Sequence, residues 1–275
     1  MKTLENLIDI KNTTFNEEEI IKYIIANPEK VINMSIYSLA KKTHTSTSSI
    51  IRLCKKCQYK GFKDFKIELI QSIDKEINNI TNIDVNMPFK QNDSDYIIAK
   101  KISQLSIETV KATYDLLSPQ KLNSTVDQLI NAANVFAIGF GDNYLRLSDF
   151  KTKLLLINFF IKMTELEDDQ IRLTNLSNNS DAAIIVSYSG KTAKVINCAK
   201  RFYTNQTPII AITSDSHSPL ALLASQIFLI PNKENIDLSF SNFSSHVSIE
   251  YILNTIYSCI FKRNFTANCK YTRKG

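Results

Sequence analysis

The chain has 275 residues, 44% apolar and 22% charged, with a formal net charge of +6. A chain of this length hides roughly 75% of its unfolded surface, so burial alone can hold it together. Five Gly and six Pro exclude collagen, low-complexity linkers and a turn-dense all-β chain. The longest apolar run, residues 154–161, contains Asn158 and falls far short of the about 20 residues a membrane span needs. Lys2, Glu5, Asp9 and Lys11 precede any apolar stretch, which is no signal-peptide pattern. Five cysteines, close together only at Cys54 and Cys57, imply reduced thiols in a cytoplasmic protein with no membrane partner.

Residues 16–75 read as consecutive short helices. Asn16 is placed to cap a first helix whose opening turn, Glu17–Glu18–Glu19, suits the helix dipole. Ile20, Ile21, Ile24 and Ile25 form its apolar face, and Pro28 predicts its end near Asn27. Ser35 caps the next helix, with Ile36, Leu39 and Ala40 inward. Residues 43–46 make a turn, and Ser46 or Thr47 caps a third helix carrying Ile50, Ile51, Leu53 and Cys54. Gly61 breaks that run before a further helix with Phe62, Phe65, Ile67, Leu69 and Ile70.

Charge concentrates in this part. Residues 1–75 hold 13 basic and 9 acidic side chains, and residues 35–66 hold eight bases against Asp64 alone. Two short helices joined by a tight turn and flanked by bases form a helix-turn-helix layout, whose second helix lays its N-terminal residues in the major groove of double-stranded DNA. Those residues are Ser46, Thr47, Ser48, Ser49 and Arg52. Small hydroxyls permit close approach, and an arginine reaches a phosphate or a guanine edge. Lys55, Lys56, Lys60 and Lys63 are placed to neutralise phosphates. The hydroxyls serve equally well as helix caps, and bases are ordinary on a solvated surface.

The reading divides the chain into a DNA-binding domain, 1–76, a polar Asn-rich linker, 77–93, and a second domain, 94–275. There the pattern alternates. Helices are expected over 97–117, 122–132, 145–160, 192–203, 220–224 and 244–261. Short apolar strands are expected over 135–138, 182–186, 208–212 and 227–230. This predicts an α/β domain with a parallel sheet covered by helices on both faces.

Ligands of such sheets bind beyond the carboxyl ends of the strands. The segments there are Gly139–Phe140–Gly141–Asp142–Asn143, Ser187–Tyr188–Ser189–Gly190–Lys191–Thr192 and Thr213–Ser214–Asp215–Ser216–His217. Hydroxyls and a Gly turn at a helix N-terminus suit an anion, with backbone N–H groups near Ser189–Thr192 aimed at a phosphate. Capping and a tight turn alone would explain less of the SxSGxT spacing. No GxxxxGKS/T string occurs, and Gly139–Phe140–Gly141 lacks the third Gly of a dinucleotide fingerprint.

Over nearly its full length the chain resembles the RpiR/MurR family of bacterial transcriptional regulators. In the first half the likeness runs through NPEKVINMSIYSLAKKT (27–43), STSSIIRLCKK (46–56) and GFKDFK (61–66). In the second it runs through AIGFGDN (137–143), AAIIVSYSGKT (182–192) and PIIAITSDSHSPLALLA (208–224). The resemblance implies a helix-turn-helix domain joined to a sugar isomerase (SIS) domain, which binds a phosphorylated sugar and so alters DNA affinity. It implies effector contacts from Gly141, Asn143, Ser187, Ser189, Gly190, Thr192 and Ser245. Asn143, Ser225 and His246 stand where the family commonly has Ser, Asp and Arg. His44 and Gln58 stand where Gly is common, and a left-handed backbone at either would cost about 1 kcal/mol. A homodimer or higher oligomer is expected, since helix-turn-helix proteins read two half-sites about 34 Å apart.

Three other readings are set against this one. SIS domains also serve aldose–ketose isomerases, for which His217, His246, Glu234 and Glu250 are the available acid–base groups. No motif pairs them, and a basic helix-turn-helix argues against a free-standing enzyme. Cys54 and Cys57 lack a second close pair, so neither a metal nor any cofactor is expected. A pure dimerisation module would have no use for a phosphate-type loop.

Overall fold

The computed structural model describes residues 12–78, 83–91, 93, 95–235 and 242–272, together with Leu7 and Ile10. The chain divides into two compact units, Met1–Leu105 and Ser106–Gly275. The first is helical. α1 (Phe15–Ala26) opens with a capping box, in which the Glu17 amide donates to Thr14 Oγ1 at 3.4 Å and the Thr14 amide to Glu17 Oε2 at 2.9 Å. The cap is therefore Thr14, and Asn16 lies inside the first turn. Pro28 follows the end of α1 but also opens α2 (Pro28–Asn33), because a missing N–H costs nothing at a first helical position.

α3 (Ile36–Lys42) and α4 (Thr47–Lys56) are capped by Ser35 and Ser46, and α5 (Phe62–Asn78) follows. Ile20, Ile24, Val31, Leu39, Ile50, Leu53, Phe65 and Leu69 meet in one core. Cys54 and Cys57 belong to it, and burial pushes the Cys54 thiol up to about 12. Ile51 and Ile67 turn outward, 40% and 47% exposed.

The turn between α3 and α4 and the segment after α4 each hold a left-handed residue that is not glycine. His44 has φ 52° and Gln58 φ 68°. At each, the following amide reaches back into the helix: Thr45 N donates to Ala40 O and Tyr59 N to Cys54 O, both at 2.9 Å. This is the Schellman arrangement, for which glycine is the usual residue. Gln58→Gly should therefore raise stability by up to about 1 kcal/mol, the relief of strain outweighing the added freedom of the unfolded chain. Urea unfolding checks it, and an unchanged or lower midpoint would contradict it.

α6 (Asp95–Asp115) spans the division between the units. The second unit is a five-stranded, wholly parallel sheet in the order β2-β1-β3-β4-β5. The strands are β1 (Val135–Ile138), β2 (Ile161–Lys162), β3 (Ala182–Val186), β4 (Ile209–Thr213) and β5 (Gln226–Leu229). The helices are α7 (Pro119–Asn131), α8 (Asp142–Leu155), α9 (Glu167–Thr174), α10 (Ala193–Thr204), α11 (Pro219–Leu223), α12 (Phe243–Arg263) and α13 (Phe265–Thr272).

Alternate strand residues face opposite layers. Ala137, Ile184, Val186 and Ile210 pack with Leu147, Phe150 and Ile252, while Phe136, Ile138, Ile185 and Ala211 pack with Val195, Phe202 and Leu220. β1, β3 and β4 are buried along their whole length, which is why they read as unbroken apolar runs. The expected helix over 145–160 instead starts at Asp142 and stops at Leu155, and β2, α9 and α13 were not anticipated. Strand order reverses between β1 and β3, the point at which a doubly wound sheet opens a crevice for ligand. Among the described residues no helix is long and apolar enough to cross a membrane, and no His/Cys/Asp/Glu cluster could hold a metal.

Candidate functional site

A cavity of about 290 Å³ lies at the carboxyl ends of β1 and β3. Of the residues expected to bind an effector, Asn143, Ser187, Ser189, Thr192 and Ser245 line it. Gly141 and Gly190 shape its loops instead. Gly141 precedes α8 with φ 58° and ψ −131°, and Gly190 has φ 62°. Phe140, Asp142 and Tyr188, inside the quoted motifs but not expected as contacts, also line the cavity, as do Asn235 and Asn242 outside them. Glu234, weighed in the sequence as a catalytic group, and His246, weighed as one and also as the replacement of a common Arg, are there as well. His217 lies elsewhere, exposed, with its Nδ1 on Ser216 Oγ at 3.1 Å. Ser225 Oγ donates to Ile209 O at the opposite, amino end of β4.

Three helix N-termini converge on the cavity. The residues before α8, α10 and α12 are Gly141, Thr192 and Asn242, and none makes a side-chain cap bond. An uncapped N-terminus presents unsatisfied N–H groups and a positive partial charge. Two of the three receive a carboxylate from the chain itself. Asp142 stands in the first turn of α8. Glu234 Oε1 accepts the Ser245 amide in the first turn of α12 at 2.7 Å. The first turn of α10 contains no acid. Beside it, the Gly190 amide donates to Ser187 O and the Lys191 amide to Ser189 Oγ, each at 3.2 Å, so the donors facing an anion there are those of α10 itself. Lys191 turns its ammonium to Asp215 at 3.1 Å.

Tyr188 ties the loops into one frame. Its carbonyl accepts from Ser214 N, Ser214 Oγ and Thr213 Oγ1 at 2.8–3.0 Å. Its hydroxyl accepts the Glu234 amide at 2.8 Å, which holds Glu234 over the start of α12. Buried hydroxyl contacts fix that start: Thr109 to Ser244 at 3.1 Å and Thr113 to Ser248 at 2.9 Å. His246 Nε2 lies 3.8 Å from Asp142 Oδ2. Burial draws the imidazole below its ordinary range, Arg146 acts in the same sense, and Asp142 and Glu234 oppose them.

In the first unit, Ser46, Ser48, Arg52, Lys55, Lys60 and Lys63 are exposed, and Thr47 is half-buried. Ser49 is buried, its amide and hydroxyl bonded to Ser46 Oγ at 3.1 and 2.9 Å, so it acts as part of the cap. Lys56 pairs with buried Glu17 at 3.1 Å, and Lys66 donates to the Ile32 and Met34 carbonyls at 2.9 and 3.1 Å. Ser48, Ile51, Arg52 and Lys55 recur at the three-to-four-residue spacing of one helix face. That face has a polar start, an apolar middle and a basic end.

Two family models match the chain: "Helix-turn-helix domain, rpiR family" over residues 2–76 and "SIS domain" over residues 128–254. An uncharacterised helix-turn-helix transcriptional regulator of Clostridium perfringens is 28% identical over 97% of this chain and 94% of its own. The solved structure of Vibrio vulnificus NanR, complexed with ManNAc-6P, is 21% identical with a TM-score of 0.60, covering 99% of this chain and 96% of that one. The sugar isomerase domain of an RpiR transcription factor from Sphaerobacter thermophilus is 16% identical with a TM-score of 0.53, covering 63% and 95%. With both domain types in this order, as in relatives matched from end to end, the chain joins a helix-turn-helix domain of the rpiR family to a C-terminal SIS domain.

Proposed function

We propose that the chain regulates transcription in the cytoplasm by binding operator DNA through residues 1–76, and that a phosphorylated sugar bound within residues 94–275 sets its operator affinity. Residues 77–93 link the two. The observation that carries the effector reading is the start of α10, the one of the three helix N-termini at the cavity that receives no carboxylate from the described residues, framed by Ser187, Ser189 and Thr192. NanR, similar along the whole chain, was solved with a phosphorylated sugar derivative, which supports the reading. Two copies reading two half-sites would account for a helix-turn-helix operator. The effector shifts DNA affinity by no more than its preference for one of the two states.

Thermal unfolding against phosphorylated sugars and their unphosphorylated parents tests this. A ligand at 100 times its Kd adds about 2.7 kcal/mol, a readily seen rise in Tm. The rise should require the phosphate and should shrink in Ser189→Ala. A response that ignores the phosphate, or a full one in Ser189→Ala, would overturn the site. A second reading, aldose–ketose isomerisation, is favoured by Glu234 and His246 lining the same cavity. Conversion of a bound aldose phosphate to its ketose would establish that reading instead.

A further inference from the structure

The cavity has a charge balance that a dianionic ligand alone does not satisfy. Its charged lining residues are Asp142 and Glu234, and no Lys or Arg lines it among the described residues. Two nearby cations lie outside the lining and against other acids, although Arg146 still acts on His246. Lys191 pairs with Asp215 at 3.1 Å, and Arg146 Nη1 lies 3.9 Å from Glu250 Oε2. His246 is drawn toward its neutral form by burial.

The two carboxylates stand at the starts of α8 and α12, Asp142 Oδ2 at 3.8 Å from His246 Nε2 and Glu234 on the Ser245 amide. A phosphate held at the start of α10 by neutral donors shares a cavity of about 290 Å³ with these two acids. Sugar hydroxyls can donate to these carboxylates, but they do not offset the charge. A protonated amine does both. A second anion on the ligand would meet both carboxylates with no counter-ion.

Resting on the phosphosugar reading above, we infer that the effector is an amino sugar phosphate with a free amine, its ammonium lying against Glu234 and Asp142. Hexose 6-phosphates aminated at C2 carry the two charges at opposite ends of the sugar.

The test is calorimetric titration of the full chain at neutral pH. Glucosamine 6-phosphate and mannosamine 6-phosphate are compared with glucose 6-phosphate, mannose 6-phosphate, the two N-acetylated derivatives and 6-phosphogluconate. At least one free amine should bind about tenfold or more tightly than its hydroxyl parent and its acetylated form. 6-Phosphogluconate should bind weakest. In Glu234→Gln the amide oxygen can still accept the Ser245 N–H, so the fold should persist while the amine's advantage over its hydroxyl parent falls several-fold. Phosphosugar binding without an amine advantage would overturn the inference and leave the phosphate site standing. So would tight 6-phosphogluconate binding, or an advantage that survives Glu234→Gln. Binding by none of these phosphates would overturn both readings together.

Discussion

Replacing Gly190 with alanine is expected to destabilise the second unit by about 2–5 kcal/mol and to remove the thermal response to a phosphosugar. Two costs combine. At φ 62° a side chain is strained wherever it points, by about 1–2 kcal/mol. A Cβ there would also sit 2.2 Å from Ser218 Oγ and 2.6 Å from Ser218 Cβ. Ser218 cannot give way freely, because it is fully buried and caps α11 through the Ala221 amide at 3.2 Å. Overpacking at such a site adds about 1–3 kcal/mol. The loop itself is bound on both sides of Gly190, whose amide donates to Ser187 O and whose carbonyl accepts the Leu220 amide, each at 3.2 Å. Displacing it moves Ser187, Ser189 and Thr192 together. Chemical unfolding and the ligand-induced Tm shift read the two effects separately. Ser218→Gly added to Gly190→Ala removes the overlap but not the strained φ, so it should recover part of the stability and not all. A Gly190→Ala protein with wild-type stability and response would show that the loop does not hold the ligand.

Which parts were legible in the amino-acid sequence follows from what each part depends on. β1 and β3 run over the expected residues because strands buried on both faces are marked by apolar runs with polar flanks. β2 has two residues and no such run, and its pairing with β1 is a tertiary event. α9, EDDQIRLT, is too polar and short to stand out. Pro28 reads as a terminator, which it is for α1, but its second role, starting α2, does not show without the next turn's packing. The Thr14 cap was available in the T-x-x-E spacing. At the cavity, the SxSGxT segment was visible as a local signal. Glu234 stands out in the sequence only as one of four acid–base groups, because its place depends on the Tyr188 hydroxyl 46 residues earlier in the chain and on the start of α12. Asp142 has the same difficulty, since its meaning comes from His246 and Asn242 across the crevice.

Arg52→Ala is expected to lose sequence-specific DNA binding, by about 10- to 100-fold in affinity, with Tm unchanged. Arg52 is exposed on α4, four residues after Ser48 on the same face and three before Lys55. An arginine at a guanine edge contributes about 1–3 kcal/mol of discrimination, so its loss relaxes specificity as well as affinity. A duplex selected from a random pool by the wild-type protein supplies the probe, and fluorescence anisotropy at several salt concentrations supplies the readout. Two lysines three and four residues further on separate charge from structure. Lys55 is exposed, and Lys55→Ala should weaken binding to all sequences alike and lower the salt slope by about one. Lys56 holds buried Glu17, so Lys56→Ala should act on the fold instead. Burial alone would push the Glu17 carboxyl up, but the Thr14 amide and Lys56 outweigh it and hold it below its ordinary range. A carboxyl with a lowered folded-state pKa stabilises above its unfolded pKa, about 4.3, and that stability disappears as pH falls through the folded value. The loss of stability in Lys56→Ala should thus be full at neutral pH and close in acid. An Arg52→Ala protein that binds the selected duplex as wild type does would remove α4 from the major groove. A Lys56→Ala protein with normal stability and a lowered salt slope would return Lys56 to the phosphate contacts expected of it from the sequence.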